Sequence, residues 1–336
     1  MALKLSVLDQ SVARIGQPQD AAIRHTLELA SHCEALGYER FWVSEHHSIP
    51  AIVGTAPEVL MAAIAARTTR IRIGSAGVML PHYATFKVAE QARVLDALAP
   101  GRIDLGVGRA PGGDMRTARL LNPHGSSADD FPRQVLELQA WIHGQPMPAG
   151  HPGHGVQAHP TGPTAPQLWM LGSSGYGAQL AAHYGMPYAF AHFITDGQGA
   201  QEALEMYRRN FQAGFTDTPQ ATVCVWALAA ETEEEAWFQF RSRERTRIDR
   251  LSGRFEPLRA PKEAQRDYTP AEQMQAEDLR RRSFVGSGPQ VAARLQALAE
   301  AWQLDEIVVL TWAWDPAVQR RSYELLAQAC GLPRRQ

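Results

Sequence analysis

The sequence predicts an α/β fold, a (β/α)8 TIM barrel of parallel strands enlarged by insertions after strand four and before strand eight. Three observations carry that expectation. Short apolar strands alternate with amphipathic helices from the N-terminus onward, the pattern of repeated parallel βαβ units. Four such strands fall in the first half of the chain and four in the second, and eight close most economically on themselves. The apolar runs also stop abruptly at glycine, hydroxyl or ionisable residues. The clearest is Phe41-Trp42-Val43-Ser44-Glu45-His46-His47, which reads as a buried strand delivering ionisable groups to a pocket at its C-terminal end.

The first strand is expected over 3–8, followed by a helix over 18–36. Pro18 suits the first helical turn, Ile23, Leu27, Ala30 and Cys33 line one face, and Gly37 stops the helix. The second strand covers 38–43. A helix over 57–67 leads to strand three over 71–78, and a helix over 86–98 leads to strand four over 102–107, with Pro100-Gly101 as the turn between them. A glycine-rich polar loop over 108–130 precedes a helix over 132–143. Residues 144–166 form a Pro/Gly/His-rich surface insertion. Its His151, His154 and His159 match no standard zinc spacing, so no metal site is expected.

Alternation resumes with a strand over 168–171, a helix over 177–184, a strand over 187–191, a helix over 198–211, a strand over 221–230 and a helix from 231. Residues 241–282 are arginine-rich and weakly periodic, and read either as a mobile active-site lid or as a disordered loop. The last unit is a helix over 289–302, a strand over 306–310 and a helix over 316–330. All 336 residues then form one barrel domain.

Composition excludes several classes. A formal net charge of −2 and a pI near 6.6 argue against a surface built for nucleic acid or anionic lipid. Cys33, Cys224 and Cys330 are too few and too scattered for a disulfide framework, and a reducing cytoplasm is the expected compartment. The N-terminus alternates like a strand rather than a signal peptide, and no run of apolar residues is long enough to span a membrane.

The strand ends can be read in turn. Strand one offers Asp9-Gln10-Ser11, and strand two Glu45-His46-His47. Strand three carries Gly74-Ser75-Ala76-Gly77, small residues that admit something flat against the backbone. Strand four ends Gly106-Val107-Gly108-Arg109, adding a cation. The glycines here do not make a dinucleotide fingerprint, because Gly112 comes one position late and Pro111 blocks the helix that should start there. Strand five ends Gly172-Ser173-Ser174-Gly175-Tyr176-Gly177, either an ordinary turn or a phosphate site at a helix start. Gly286-Ser287-Gly288-Pro289 suits a helix cap better than a second phosphate site.

Taken in order, Glu45-His46-His47, Gly74-Ser75-Ala76-Gly77, Val78-Met79-Leu80-Pro81, Glu90-Gln91, Leu95-Asp96 and Gly101-Arg102-Ile103-Asp104-Leu105-Gly106-Val107-Gly108-Arg109 resemble the bacterial-luciferase-like flavin monooxygenase family. The resemblance covers most of the chain and is densest over 38–113. It implies FMN, or in some branches the deazaflavin F420, at the C-terminal mouth of the barrel. It also implies a cis peptide at Ala76-Gly77 against the flavin ring and catalysis by His46, with Glu45 at the flavin or at a dimer contact. Arg109 is implied near the flavin phosphate or the ring edge, and Gly172, Ser173, Ser174 and Tyr176 in the phosphate loop. The luciferase chains have a carboxylate where Gly172 stands here. The implied reaction uses reduced FMN and O2 through a flavin C4a-hydroperoxide to oxygenate a small or medium apolar substrate, with His46 handling protons at an ordinary imidazole pKa. A dry pocket is required, and Trp312, Trp314 and Tyr83 are candidates to line it. The resemblance further implies a homodimer and a separate flavin reductase. The other functions compatible with it are an F420- or FMN-dependent dehydrogenase and a flavin-binding protein without turnover.

Overall fold

The computed structural model describes residues 3–123 and 128–333. Strands β1 (Lys4–Asp9), β2 (Arg40–Val43), β3 (Arg72–Met79), β4 (Ile103–Gly108), β5 (Gln167–Gly172), β6 (Tyr188–Phe190) and β7 (Ala221–Ala230) pair in parallel in that order. A ninth strand in sequence, β9 (Glu306–Leu310), pairs with both β7 and β1 and closes the ring of eight. The barrel is the one expected.

One strand was not expected. β8 (Phe284–Ser287) pairs with β7 over Ala227 to Ala230, beyond the stretch from Val223 to Trp226 that takes β9. β7 is long enough to serve two neighbours in succession, so β8 lies beside the barrel without entering the ring.

The surrounding helices are α1 (Gln19–Leu36), α2 (Pro57–Ala65), α3 (Thr85–Leu98), α4 (Met115–Leu121), α5 (Phe131–Ile142), α6 (Gly175–Tyr184), α7 (His192–Thr195), α8 (Ala200–Arg209), α9 (Glu233–Leu251), α10 (Pro261–Ala264), α11 (Pro270–Arg282), α12 (Gly288–Trp302) and α13 (Pro316–Ala329). Gly37 ends α1 at φ 88°, its N–H reaching the carbonyls of Cys33 and Glu34. Two expected loops contain helices. Part of 108–130 is α4, capped by the Asp114 carboxylate on the Thr117 N–H at 2.7 Å. The segment 241–282 is neither aperiodic nor structureless: it holds the second half of α9, then α10 and α11. Its helical repeat is hidden because the buried face of α9 carries Ser242, Arg243, Glu244 and Asp249 beside Phe240 and Ile248. The two carboxylates are paired, Glu244 with Arg280 and Asp249 with Arg245, Arg254 and Arg266.

Strand residues alternate between two cores. Leu5, Val7, Phe41, Val43, Ile307 and Val309 pack outward against the helices. Leu8, Trp42, Trp169, Cys224, Trp226 and Val308 fill the barrel interior. Gly74 belongs to that interior: a Cβ there would lie 2.6 Å from the Trp42 ring and 2.7 Å from the Asp104 carbonyl. Its smallness, expected to admit a flat ligand, makes room for an indole instead. At the N-terminal end of the barrel a polar layer seals the interior. Fully buried Asp104 accepts from Arg40 Nη1 at 2.7 Å, Arg72 Nη2 at 2.5 Å and Trp42 Nε1 at 3.0 Å, and Arg40 Nε reaches Glu306 at 2.9 Å.

The surface insertion is fastened down by Arg93, whose guanidinium donates to the carbonyls of Pro160 at 2.9 Å and Thr164 at 2.6 Å. Two of its histidines go to separate partners. His151 meets Glu137 at 3.1 Å, and His154 hydrogen-bonds the Met147 carbonyl at 2.8 Å.

Candidate active site

The C-terminal mouth opens into a cavity of about 290 Å³. The ends of β3, β4 and β5 and the start of α6 bring Ala76, Gly77, Arg109, Ser173 and Tyr176 to its wall, together with His46 from the end of β2. Gly172 and Ser174 complete the set. The Ala76-Gly77 peptide bond is cis. Every residue the sequence pointed to for a cofactor therefore lines one cavity, with a single exception.

That exception is Glu45. It is fully buried and absent from the cavity wall, because its oxygens are taken by protein donors. His47 Nε2 and the Tyr83 hydroxyl each lie 2.6 Å from Oε1, and the Met79 N–H donates to Oε2 at 2.9 Å. Glu45 thus ties the end of β2 to the end of β3 beside the cavity, and the expected cofactor contact is corrected to a positioning one. His47, also holding the Gly112 carbonyl through its own N–H at 2.9 Å, belongs to the same fastening.

The phosphate-loop residues are arranged for an anion. Ser174 stands just before α6, where the first amides of the helix are unpaired. Neither the Ser173 nor the Ser174 hydroxyl has a protein partner among the described residues, and Arg109 stacks on the Tyr176 ring at 3.9 Å without a carboxylate beside it. A side chain at Gly172 would meet the Tyr188 hydroxyl at 3.3 Å, so Tyr188 fills the space beside this turn. The donor set of one guanidinium, two hydroxyls and free helix amides fits a phosphate monoester such as that of FMN. The Gly286-Ser287-Gly288-Pro289 segment lines neither this cavity nor its neighbour; Gln290 Oε1 accepts from the Ser287 N–H at 2.8 Å, a helix cap as expected.

His46 stands where two cavities meet. A second cavity of about 260 Å³ shares His46, Phe193 and Ile194 with the first. His46 Nδ1 lies 3.1 Å from the Ser44 hydroxyl, which leaves Nε2 for the cavity. Burial, aided by the nearby charges of Arg250 and His47, pulls its pKa down to about 4. The expectation of an ordinary imidazole pKa is corrected: at neutral pH this ring is uncharged, a hydrogen-bonding and proton-accepting group rather than a ready acid.

The walls of the second cavity were the part least visible in sequence. Gln10 and Trp312 contribute together, the indole N–H donating to Gln10 Oε1 at 3.1 Å. Trp314 and Tyr83, expected beside Trp312, point elsewhere, to the Ile15 carbonyl and to Glu45. α9 supplies Arg243, Arg247 and Arg250. Their spacing, i, i+4 and i+7, is the sequence signal that puts them on one helix face.

His192, at the start of α7, packs against the rings of Phe284 and Trp302, each centroid 5.9 Å away. Burial pulls its pKa down to about 4, with Asp196 opposing and Arg243 assisting. Because the folded value lies below the unfolded one of about 6.5, the unfolded chain binds the extra proton between them. Stability is thus complete above about pH 6.5 and falls towards about pH 4, His192 contributing on the order of 3 kcal/mol. Urea unfolding at several pH values, compared with His192→Asn, checks this: equal slopes in both proteins contradict it.

A parallel barrel with a two-chambered cavity at its C-terminal mouth, an imidazole at the junction and unpartnered anion donors at one end has the architecture of a barrel enzyme. Residues 1–304 match the sequence model of the luciferase-like monooxygenases, and the chain belongs to that family of oxidoreductases. It is 44% identical over 336 residues to the uncharacterized protein YwcH of Bacillus subtilis strain 168, covering 97% of this chain and 99% of that one. It is 34% identical over 331 residues to the N-acetyl-S-alkylcysteine monooxygenase of the same strain, covering 97% and 98%. The crystal structure of apo-MsnO8 superimposes with a TM-score of 0.90 at 36% identity, over 99% of this chain and 100% of that one.

Proposed function

We propose that this protein is an FMN-dependent monooxygenase that inserts one atom of O2 into a small or medium organic substrate. The observation that carries the reading is the joining of the two cavities at His46, one with the phosphate-binding donor set and one with room for a second molecule. Reduced FMN supplies two electrons and two protons, so substrate and O2 yield oxygenated substrate, water and oxidised FMN.

Arg109, Ser173 and Ser174 hold the phosphate. The small residues Ala76 and Gly77 leave space for the ring system, and Trp42 and Leu171 exclude water from its inner side. His46 Nε2 holds or accepts a proton at the junction. A separate reductase delivers the reduced flavin. The assembly is a homodimer packed through α2 and α3, a reading supported by exposed Val59, Val94 and Leu98 on those helices.

The test is a titration of the protein with reduced FMN, riboflavin and F420, coupled to oxygen uptake. Reduced FMN is expected to bind at least about 10-fold more tightly than riboflavin, and Arg109→Met is expected to erase that difference. Tight F420 binding without oxygen uptake identifies a dehydrogenase. Flavin binding without any oxygen uptake leaves a binding protein.

A further inference from the structure

The second cavity carries more positive charge than the protein neutralises. Arg243 is 5% exposed, and its Nη1 has no hydrogen-bond partner among the described residues. It leans over the Trp226 ring at 4.4 Å, and its approach to Asp196 is a distant 3.9 Å. Arg247 takes the same Asp196 at 2.9 Å, while Arg250, exposed, stacks near Phe255 without a carboxylate among the described residues. Of the three guanidinium groups at this wall, two thus share one carboxylate and the third has none among the described residues. The α9 carboxylates nearest in sequence, Glu244 and Asp249, do not line the cavity and are occupied, Glu244 by Arg280 and Asp249 by Arg245, Arg254 and Arg266.

A buried cation with an open N–H is costly unless something supplies the missing acceptor. Burial pushes Arg243 down to about 9, which still leaves it charged at neutral pH. The cavity is also lined by the apolar side chains of Trp226, Trp312, Phe193 and Leu310. We infer that this cavity is a substrate chamber for an organic anion, its carboxylate or sulfonate held by Arg243 and Arg250 and its apolar body laid along Trp226 and Trp312 towards His46. This inference rests on the monooxygenase reading for its meaning as a substrate site, and it replaces a wholly apolar substrate with an amphiphilic one.

The experiment uses the full chain, with and without FMN, and calorimetric titration with 3-phenylpropanoate, 2-phenylethanesulfonate and the neutral 3-phenylpropanamide. At least one anion is expected to bind at least about 10-fold more tightly than the amide, with affinity falling as salt rises from about 50 to 500 mM. Preference for the propanoate or for the ethanesulfonate identifies the head group. Arg250→Met is expected to remove most of that preference while amide and FMN affinities stay within about 2-fold, and Arg243→Met to do the same where it folds. No anion binding below about 10 mM, equal affinity for acid and amide, or full preference retained in Arg250→Met overturns the inference. The titration without FMN separates the two readings: failure to bind flavin removes the proposed function, while the anion preference still reports on the arginine chamber.

Discussion

Asp104→Ala is expected to lower the unfolding free energy by about 3–5 kcal/mol, the range for removing one partner from a buried ionic network. The carboxylate is wholly enclosed and receives Arg40, Arg72 and the Trp42 indole, at the end of the barrel opposite the cavities. Alanine leaves those donors in place and deletes their shared acceptor. Arg40 keeps Glu306, but Arg72 retains only backbone carbonyls, those of Gly101 and Ile103. Trp42 Nε1 is left without its acceptor in an interior packed by Trp169, whose ring centroid lies 5.3 Å away. Urea denaturation of wild type and variant measures the difference. A loss under about 1 kcal/mol would show that the network behaves as a solvated surface pair. Flavin binding in the folded fraction is expected to change little, since barrel chemistry and barrel sealing sit at opposite ends.

The barrel was legible because its strands are short apolar runs ended by glycine or polar residues, and that signal survives without any knowledge of contacts. β8 escaped because four residues directly before a helix carry too little pattern to register. The second half of α9 escaped for a different reason: its buried face satisfies charges instead of excluding water, and Arg243, Glu244 and Asp249 erase the hydropathy period. The arginine chamber went unseen with it. Glu45 shows a misreading that strand geometry would have prevented. Successive residues of an extended chain point to opposite sides, so Trp42 and His46 facing the interior and the mouth sends Phe41, Val43, Glu45 and His47 the other way. Gly74 similarly reads as a ligand-facing gap until the partner that fills it, the Trp42 indole, is known.

His46→Ala is expected to lower turnover about 100-fold or more, the lower range for loss of a positioned acid/base group, while FMN affinity stays within a few-fold. The ring is in the wall of both cavities, whereas Arg109, Ser173 and Ser174, the residues proposed to hold the FMN phosphate, line only the first. Its neutral state follows from burial and from the charge of Arg250, so it meets the reaction as a hydrogen-bonding imidazole whose Nδ1 is held by Ser44. An anion bound at Arg250 removes part of that repulsion and raises the proton affinity of Nε2 when substrate is in place. Without the imidazole, oxygen uptake is expected to continue with its product diverted to hydrogen peroxide, because flavin and O2 still meet while the junction no longer steers the proton. Measuring oxygen consumed, peroxide released and product formed in one assay separates slowed chemistry from uncoupling. Turnover within about 3-fold of wild type, with no added peroxide, would remove His46 from the reaction and leave it as a wall of the cavity.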